Sequence, residues 1–286
     1  VDPEECLFQV GFKCSPVTGS LCEYPSVNRL SYDREEEELA LQYRNNITYA
    51  VGHGCAATWS KDIESPKSVQ TVSMPTCEVK PVTTSLNSTY SDAEDVLSLQ
   101  FLSHDDIDIE ILENKLLRFI EGYSEWLRNI CDEEIDSKFD GAKTRITGRI
   151  NHAIIRMKAG VSLLVKDEKV RMAFSMANGV MLKQMIHSRD KLFGGSVKDR
   201  DQIKYVQPDY NSMQYSTIEW RPFQLAYQLL VLDSLVDSDS NDRNSVDLLW
   251  FPTGGGKTEA YLGLAAFELI HRRLKFGEQG AGTSVI

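Results

Sequence analysis

The stretch DLLWFPTGGGKTEAYLGLAAFELIHRR, from Asp247 to Arg273, constrains this chain more tightly than any other. Asp247 to Phe251 is a short apolar run of strand type, and Lys257 to Lys275 places Ala260, Leu264, Phe267, Leu269 and Ile270 where a helix can pack them. Between the two lies PTGGGKT. A strand that turns through glycines into a helix N-terminus gathers backbone N–H groups and the positive end of a helix dipole around one anion. The expected ligand is a polyphosphate.

Each residue type in the loop has a chemical reason. Gly254, Gly255 and Gly256 allow positive φ and carry no Cβ, so the backbone can wrap a β-phosphate. Lys257 can bridge the β- and γ-phosphates and follow charge developing during transfer, which makes it the expected catalytic residue. Thr258 offers a hydroxyl to Mg²⁺, so ATP and Mg²⁺ are the expected cofactors. The strict pattern G-x-x-x-x-G-K-[ST] fails, because Phe251 stands at its first glycine. The form P-T-G-x-G-K-T is nonetheless similar to the phosphate loops of superfamily 2 helicases.

Gln224 lies 33 residues before Lys257, within EWRPFQLAYQLL. This region resembles the Q-motif of the same superfamily. A glutamine amide carries an acceptor and two donors, enough to read the N6 and N7 edge of adenine, and Phe223 or Trp220 can wall the ring. Pro222 suits the first position of a helix.

Taken with GAGTSVI at the end and RNNITYAVGHGCAATW further upstream, these segments resemble the helicase subunit of DISARM phage-defence systems, a DrmA-type superfamily 2 helicase. The resemblance implies an ATP-dependent DNA helicase or translocase with a RecA-like lobe, working with DNA, a second defence-system subunit and a methylase against phage. It implies Thr253 to Thr258 as the phosphate loop and Gln224 as the adenine reader. No paired-acid box follows the loop, so the expectation is an N-terminal fragment without ATPase turnover of its own. Two other readings stay open: a phosphate-loop ATPase or kinase of another branch, and an accessory module that binds DNA or a partner without activity.

The rest of the chain divides by pattern into a mixed α and β fold. Residues 1–90 form a β-rich module of short segments such as CLFQVGFKC, TYAVGHGCAATW and SVQTVSMPTCEV, with the acidic run Glu35–Glu38 as a solvated loop or helix face. Residues 91–190 read as a helical subdomain. Its first long helix carries Ile109, Leu112, Leu116, Phe119, Ile120, Tyr123 and Leu127, and further helices cover 142–166 and 170–187. Residues 191–217 read as a linker or surface loop, and 218–286 as the start of a RecA-like α/β domain.

On the second helix Arg145, Arg149, His152 and Arg156 share one stripe. Arg145, Arg149 and Arg156 are candidate nucleic-acid contacts; alternatively the stripe is a helix edge paired with acids of the preceding helix. The net charge of -11 and pI near 5.0 argue against a nonspecific nucleic-acid coat over the whole chain, since phosphate neutralisation needs surplus lysine and arginine.

No apolar run is long enough for a membrane span, and the start VDPEECLFQV has no signal-peptide form, so a cytoplasmic location is expected. The cysteines at 6, 14, 22, 55, 77 and 131 show no C-x2-C pair and read as free thiols. His53 and Cys55, flanked by Gly52 and Gly54, read as a tight β-bend, with a metal pair or a nucleophile and base as the sharper alternatives.

Overall fold

The computed structural model describes residues 10–25, 33–60, 66–76, 86, 88–189, 207–252 and 254–282. It is mixed and mostly helical, and the chain divides into two units, Val1–Val82 with Ile135–Ile146 and Thr83–Glu134 with Thr147–Ile286. These cut the chain differently from the pattern boundaries at 90, 190 and 217.

The first unit holds an antiparallel sheet of β1 (Lys13–Cys14), β2 (Ala56–Trp59) and β3 (Val69–Val72), in the order β1-β3-β2. Ala56 pairs with Val72 and Trp59 with Val69, while Lys13 lies opposite Gln70. Of CLFQVGFKC only Lys13–Cys14 pairs among the described residues; its Cys6–Gln9 part lies outside them, as does Cys77. Between β1 and β2 runs helix α1 (Arg34–Gln42). The Asp33 carboxylate caps it by accepting from the Glu35 N–H, and Glu35, Glu36 and Glu37 place negative charge on the positive end of its dipole. The acidic run is therefore helical.

The second unit contains α2 (Leu99–Ser103), α3 (Ile109–Asp132), the greater part of α4 (Asp140–Lys166), α5 (Glu168–Arg189), α6 (Pro222–Val236) and α7 (Lys257–Phe276). Asp108 caps α3 through the N–H groups of Glu110 and Ile111. The α3 stripe buries Leu112, Leu116, Phe119, Ile120 and Leu127, while Ile109 and Tyr123 stay more than a third exposed at its edge. Helix α5 packs on α2 and α7, and α6 packs on α7, around a core that includes Leu116, Leu164, Phe174, Trp220, Leu229 and Phe267. Gly160 lets α4 meet α6 backbone to backbone, because a Cβ there would fall 2.1 Å from the Leu229 carbonyl oxygen.

Two expectations need correction here. The region expected as a linker or surface loop, 191–217, bonds to and packs on the second unit in its described part from 207 onward. Gln100 donates to the carbonyls of Tyr210 and Ser212, the Tyr210 hydroxyl lies 2.9 Å from His187 Nε2, and Tyr215 is buried; 190–206 lie outside the described residues. Apolar and hydrogen-bonding side chains thus override a polar, aperiodic sequence. Asp247–Phe251, expected as a strand, forms no ladder among the described residues, since the sheet present belongs to residues 13–72. Exposure still alternates with the period of a strand: Val246, Leu248 and Trp250 are 95%, 84% and 84% exposed, while Asp247, Leu249 and Phe251 turn inward. Residues 283–286, the end of GAGTSVI, lie outside the described residues.

His271 makes the second unit sensitive to pH. Its imidazole is buried and stacks on Phe267 with ring centroids 5.5 Å apart. Burial, and next the Lys275 ammonium, hold it below the usual histidine range. The folded state therefore binds a proton less readily than the unfolded chain, so this contribution to stability is full above about pH 7 and is lost as pH falls through the lowered folded value. Melting temperatures measured between about pH 7.5 and 5 should drop more steeply for the wild type than for His271→Phe. Parallel profiles would contradict this assignment.

Candidate phosphate-binding site

Gly254–Gly256 form a turn entering the 20-residue helix α7. The Gly255 N–H bonds the Pro252 carbonyl at 3.0 Å, Gly254 sits at φ 77° and Gly256, the N-cap, at φ 90°. Those two positions need glycine for their backbone conformation. Gly255 needs it for space instead, because a Cβ there would fall 2.1 Å from Phe251 Cδ1. Phe251 also stacks on Phe223 with centroids 4.0 Å apart. The residue that breaks the strict phosphate-loop pattern is thus an aromatic that packs on the loop from below, and Gly255 supplies the room.

The loop is tied to α6 by two residues at the start of that helix. Arg221 Nη1 donates to the Gly255 carbonyl at 2.7 Å, and Gln224 Nε2 donates to the Gly256 carbonyl at 2.6 Å. Gln224 Oε1 accepts from the Arg221 N–H at 2.7 Å, and the side chain is buried. No peptide bond here is cis, so each carbonyl that points to α6 turns the N–H of the following residue the other way. The N–H groups of Gly256 and Lys257 therefore face away from α6. Together with the first N–H groups of α7, which have no intrahelical acceptor, they form a concave set of donors.

Lys257 Nζ donates to the carbonyls of Phe251 and Pro252 at 2.5 and 3.3 Å, folding back over the loop, and Thr258 is exposed in the first turn of α7. The residues present fit a polyphosphate with Mg²⁺: donors and an ammonium for the anion, a hydroxyl for the cation. Thr253 lies outside the described residues. Trp220 is not a wall for a base; it is 1% exposed and donates its indole N–H to Asn178 Oδ1 at 2.7 Å. Bulk and a buried donor with a buried acceptor place it in the core.

The approach to the loop is held from the other side by α4. Arg156 Nη1 and Nη2 donate to the two carboxylate oxygens of Asp247 at 2.6 and 2.8 Å, with Asp242 at 3.5 Å from Nε and His152 Nε2 at 3.4 Å from Asp242. The hydrogen bond to Asp247 is the main reason the guanidinium is pushed above the usual arginine value. Arg145, in the first unit, donates to Glu38 and Glu37 at 2.8 and 2.7 Å. Two of the three arginines read as nucleic-acid contacts are thus turned to acids of this chain; Arg149 is exposed on α4 and also has an interaction of its own. The acids come from α1 and from the segment before the loop, not from the preceding helix α3.

No family model matches the chain. It is similar to DISARM protein DrmA of Bacillus paralicheniformis, with 34% identity over 238 residues that cover 81% of this chain and 20% of that protein. The similarity supports DISARM-related membership. The chain spans about a fifth of the length of this relative. Among the described residues no helix is long and apolar enough to cross a membrane.

Sequence reasoning missed three parts of the site. Arg221 had a signal, one residue before Pro222 in the glutamine-bearing segment. Asp247 had none, since only the fold brings it to Arg156. The third is an open cavity of about 820 Å³ beneath the approach to the loop, walled by Tyr90, Phe119, Trp126, Phe223, Tyr227 and Phe251. Elsewhere, His53 is exposed, Gly54 sits at φ 70°, and a Cβ on Gly52 would fall 2.1 Å from the Cys55 carbonyl oxygen, the geometry of a tight bend. Among the described residues no group of three or more His, Cys, Asp or Glu is placed to hold a metal ion.

Proposed function

We propose that Pro252–Thr258 binds the phosphates of ATP with Mg²⁺, and that the chain supplies this nucleotide-holding part to a superfamily 2 DNA helicase or translocase in DISARM phage defence. In that role DNA and a second defence-system subunit are its partners. The observation that carries the reading is the loop geometry: two carbonyls anchored to α6, hence two N–H groups turned outward beside a helix N-terminus, with Lys257 adjacent. The resemblance of the segment bearing Gln224 to the Q-motif favours a helicase-type motor over another phosphate-loop enzyme, and that segment donates to the loop.

In this assignment Lys257 exchanges its two carbonyl acceptors for phosphate oxygens, and Thr258 supplies one oxygen to the cation while waters fill the remaining positions. Titration calorimetry tests it. ATP should bind several-fold more tightly with Mg²⁺ than with EDTA, and Thr258→Val should remove most of that difference. A wild type indifferent to Mg²⁺, or a Thr258→Val variant with the full Mg²⁺ effect, would speak against the assignment.

A further inference from the structure

Gln224 is the residue whose place in the structure fits least well with reading a base. Its Oε1 and one Nε2 proton are already engaged, on the Arg221 N–H and the Gly256 carbonyl, and it is 3% exposed. Bidentate reading of an adenine edge needs a free acceptor and a free donor side by side on one amide. Here each of the two polar atoms is turned to a backbone group, and burial limits the access of a base to what the amide has left.

Arg221 supplies the second half of the arrangement. Its backbone N–H holds Gln224 in orientation, while its guanidinium reaches Gly255, the residue before Gly256. The two side chains therefore grip consecutive peptide planes of the loop. Gly256, at φ 90°, is conformationally loose on its own account, and nothing in a glycine backbone fixes which way these amides turn. A Cβ at Gly256 would lie 2.6 Å from Gln224 Nε2, which shows how closely the amide is set against the loop.

We infer that Arg221 and Gln224 are a pair of positioning residues that fix the two amide planes from which Gly256 and Lys257 present their N–H groups to the polyphosphate, so that Gln224 contributes to nucleotide affinity independently of the base. The inference rests on the proposal that this loop binds a nucleotide. Its consequence is that the start of α6 tunes phosphate affinity through donors to the carbonyls of the loop.

The test compares three probes, MgATP, MgGTP and magnesium tripolyphosphate, on the same proteins. Gln224→Glu keeps the acceptor for the Arg221 N–H but replaces the donor to Gly256 with a second acceptor. It should weaken all three probes by the same factor, roughly tenfold. Arg221→Gln should do likewise, and Arg221→Lys, which keeps one donor, should recover part of the loss. Gln224→Met serves where the glutamate variant does not fold, and unliganded melting temperature separates loss of fold from loss of the loop. A Gln224 variant that weakens ATP alone and leaves tripolyphosphate unchanged overturns the inference while sparing the nucleotide-binding proposal. Wild-type protein that binds none of the three probes overturns both.

Discussion

Lys257→Ala should weaken MgATP binding by roughly 10- to 150-fold, the equivalent of about 1.5–3 kcal/mol for charge-assisted hydrogen bonds to phosphate. The argument has two parts. The ammonium belongs to a residue whose own N–H turns outward, and among the described residues it donates to the carbonyls of Phe251 and Pro252. Those are neutral acceptors, so exchanging them for a phosphate with several negative charges is favourable. Calorimetry with MgATP and magnesium tripolyphosphate measures the loss, which should be equal for both. Circular dichroism should show the fold retained, because Lys257 is only half-buried, the Gly255 N–H also holds the Pro252 carbonyl, and Arg221 and Gln224 hold the next two carbonyls of the loop. Unchanged MgATP affinity in a folded Lys257→Ala protein would remove the residue from the site.

Arg156→Met should lower the unfolding free energy by about 2–3 kcal/mol, somewhat below the figure for a fully buried pair because Asp247 keeps part of its solvent contact. The arginine side chain is 10% exposed and serves Asp247 bidentately, with Asp242 and Asp233 also contributing favourable charge. Methionine fills a similar volume but leaves the Asp247 carboxylate without its bidentate donor and takes away the cation that Asp242 and Asp233 also feel. The segment it anchors, Val246–Phe251, has no sheet ladder among the described residues. The Arg156–Asp247 pair, the Phe223–Phe251 stack and the Lys257 contacts are what locate it. Urea unfolding measures the effect, and a double-mutant cycle with Asp247→Asn isolates the pair: Arg156→Met should cost less when Asp247 is already neutral. A change within about 0.5 kcal/mol in the wild-type background would mean the pair is a solvent-screened surface contact.

The long helices were legible because amphipathic period survives any packing arrangement. Leu112, Leu116, Phe119, Ile120 and Leu127 are buried on α3 as their spacing requires, and the spans read at 142–166 and 257–275 coincide closely with α4 and α7. The turn ahead of α7 was legible for a different reason: three successive glycines leave the backbone free to take the positive φ that a tight entry into the helix requires. The fate of the arginine stripe was not legible. Arg145 and Arg156 lie on one helix face, but whether a guanidinium meets a phosphate or a carboxylate depends on which acids lie opposite, and those are 107 and 91 residues away in sequence. Trp220 and Phe223 looked interchangeable as walls for a base, yet one is sealed in the core against Asn178 and the other stacks beneath the loop.

By itself the sequence determined the helices, the glycine turn ahead of α7 and the resemblance to the DISARM-related family, since these rest on local period and on residue types at fixed spacing. The tertiary structure decided which donors point where. It turned Gln224 and Arg221 onto the carbonyls of Gly256 and Gly255, committed Arg156 to Asp247, and gave Phe251 the place where a stricter loop carries glycine. Hydrogen bonds are directional and ion pairs fall away within a few ångströms, so these assignments depend on distances that only folding sets.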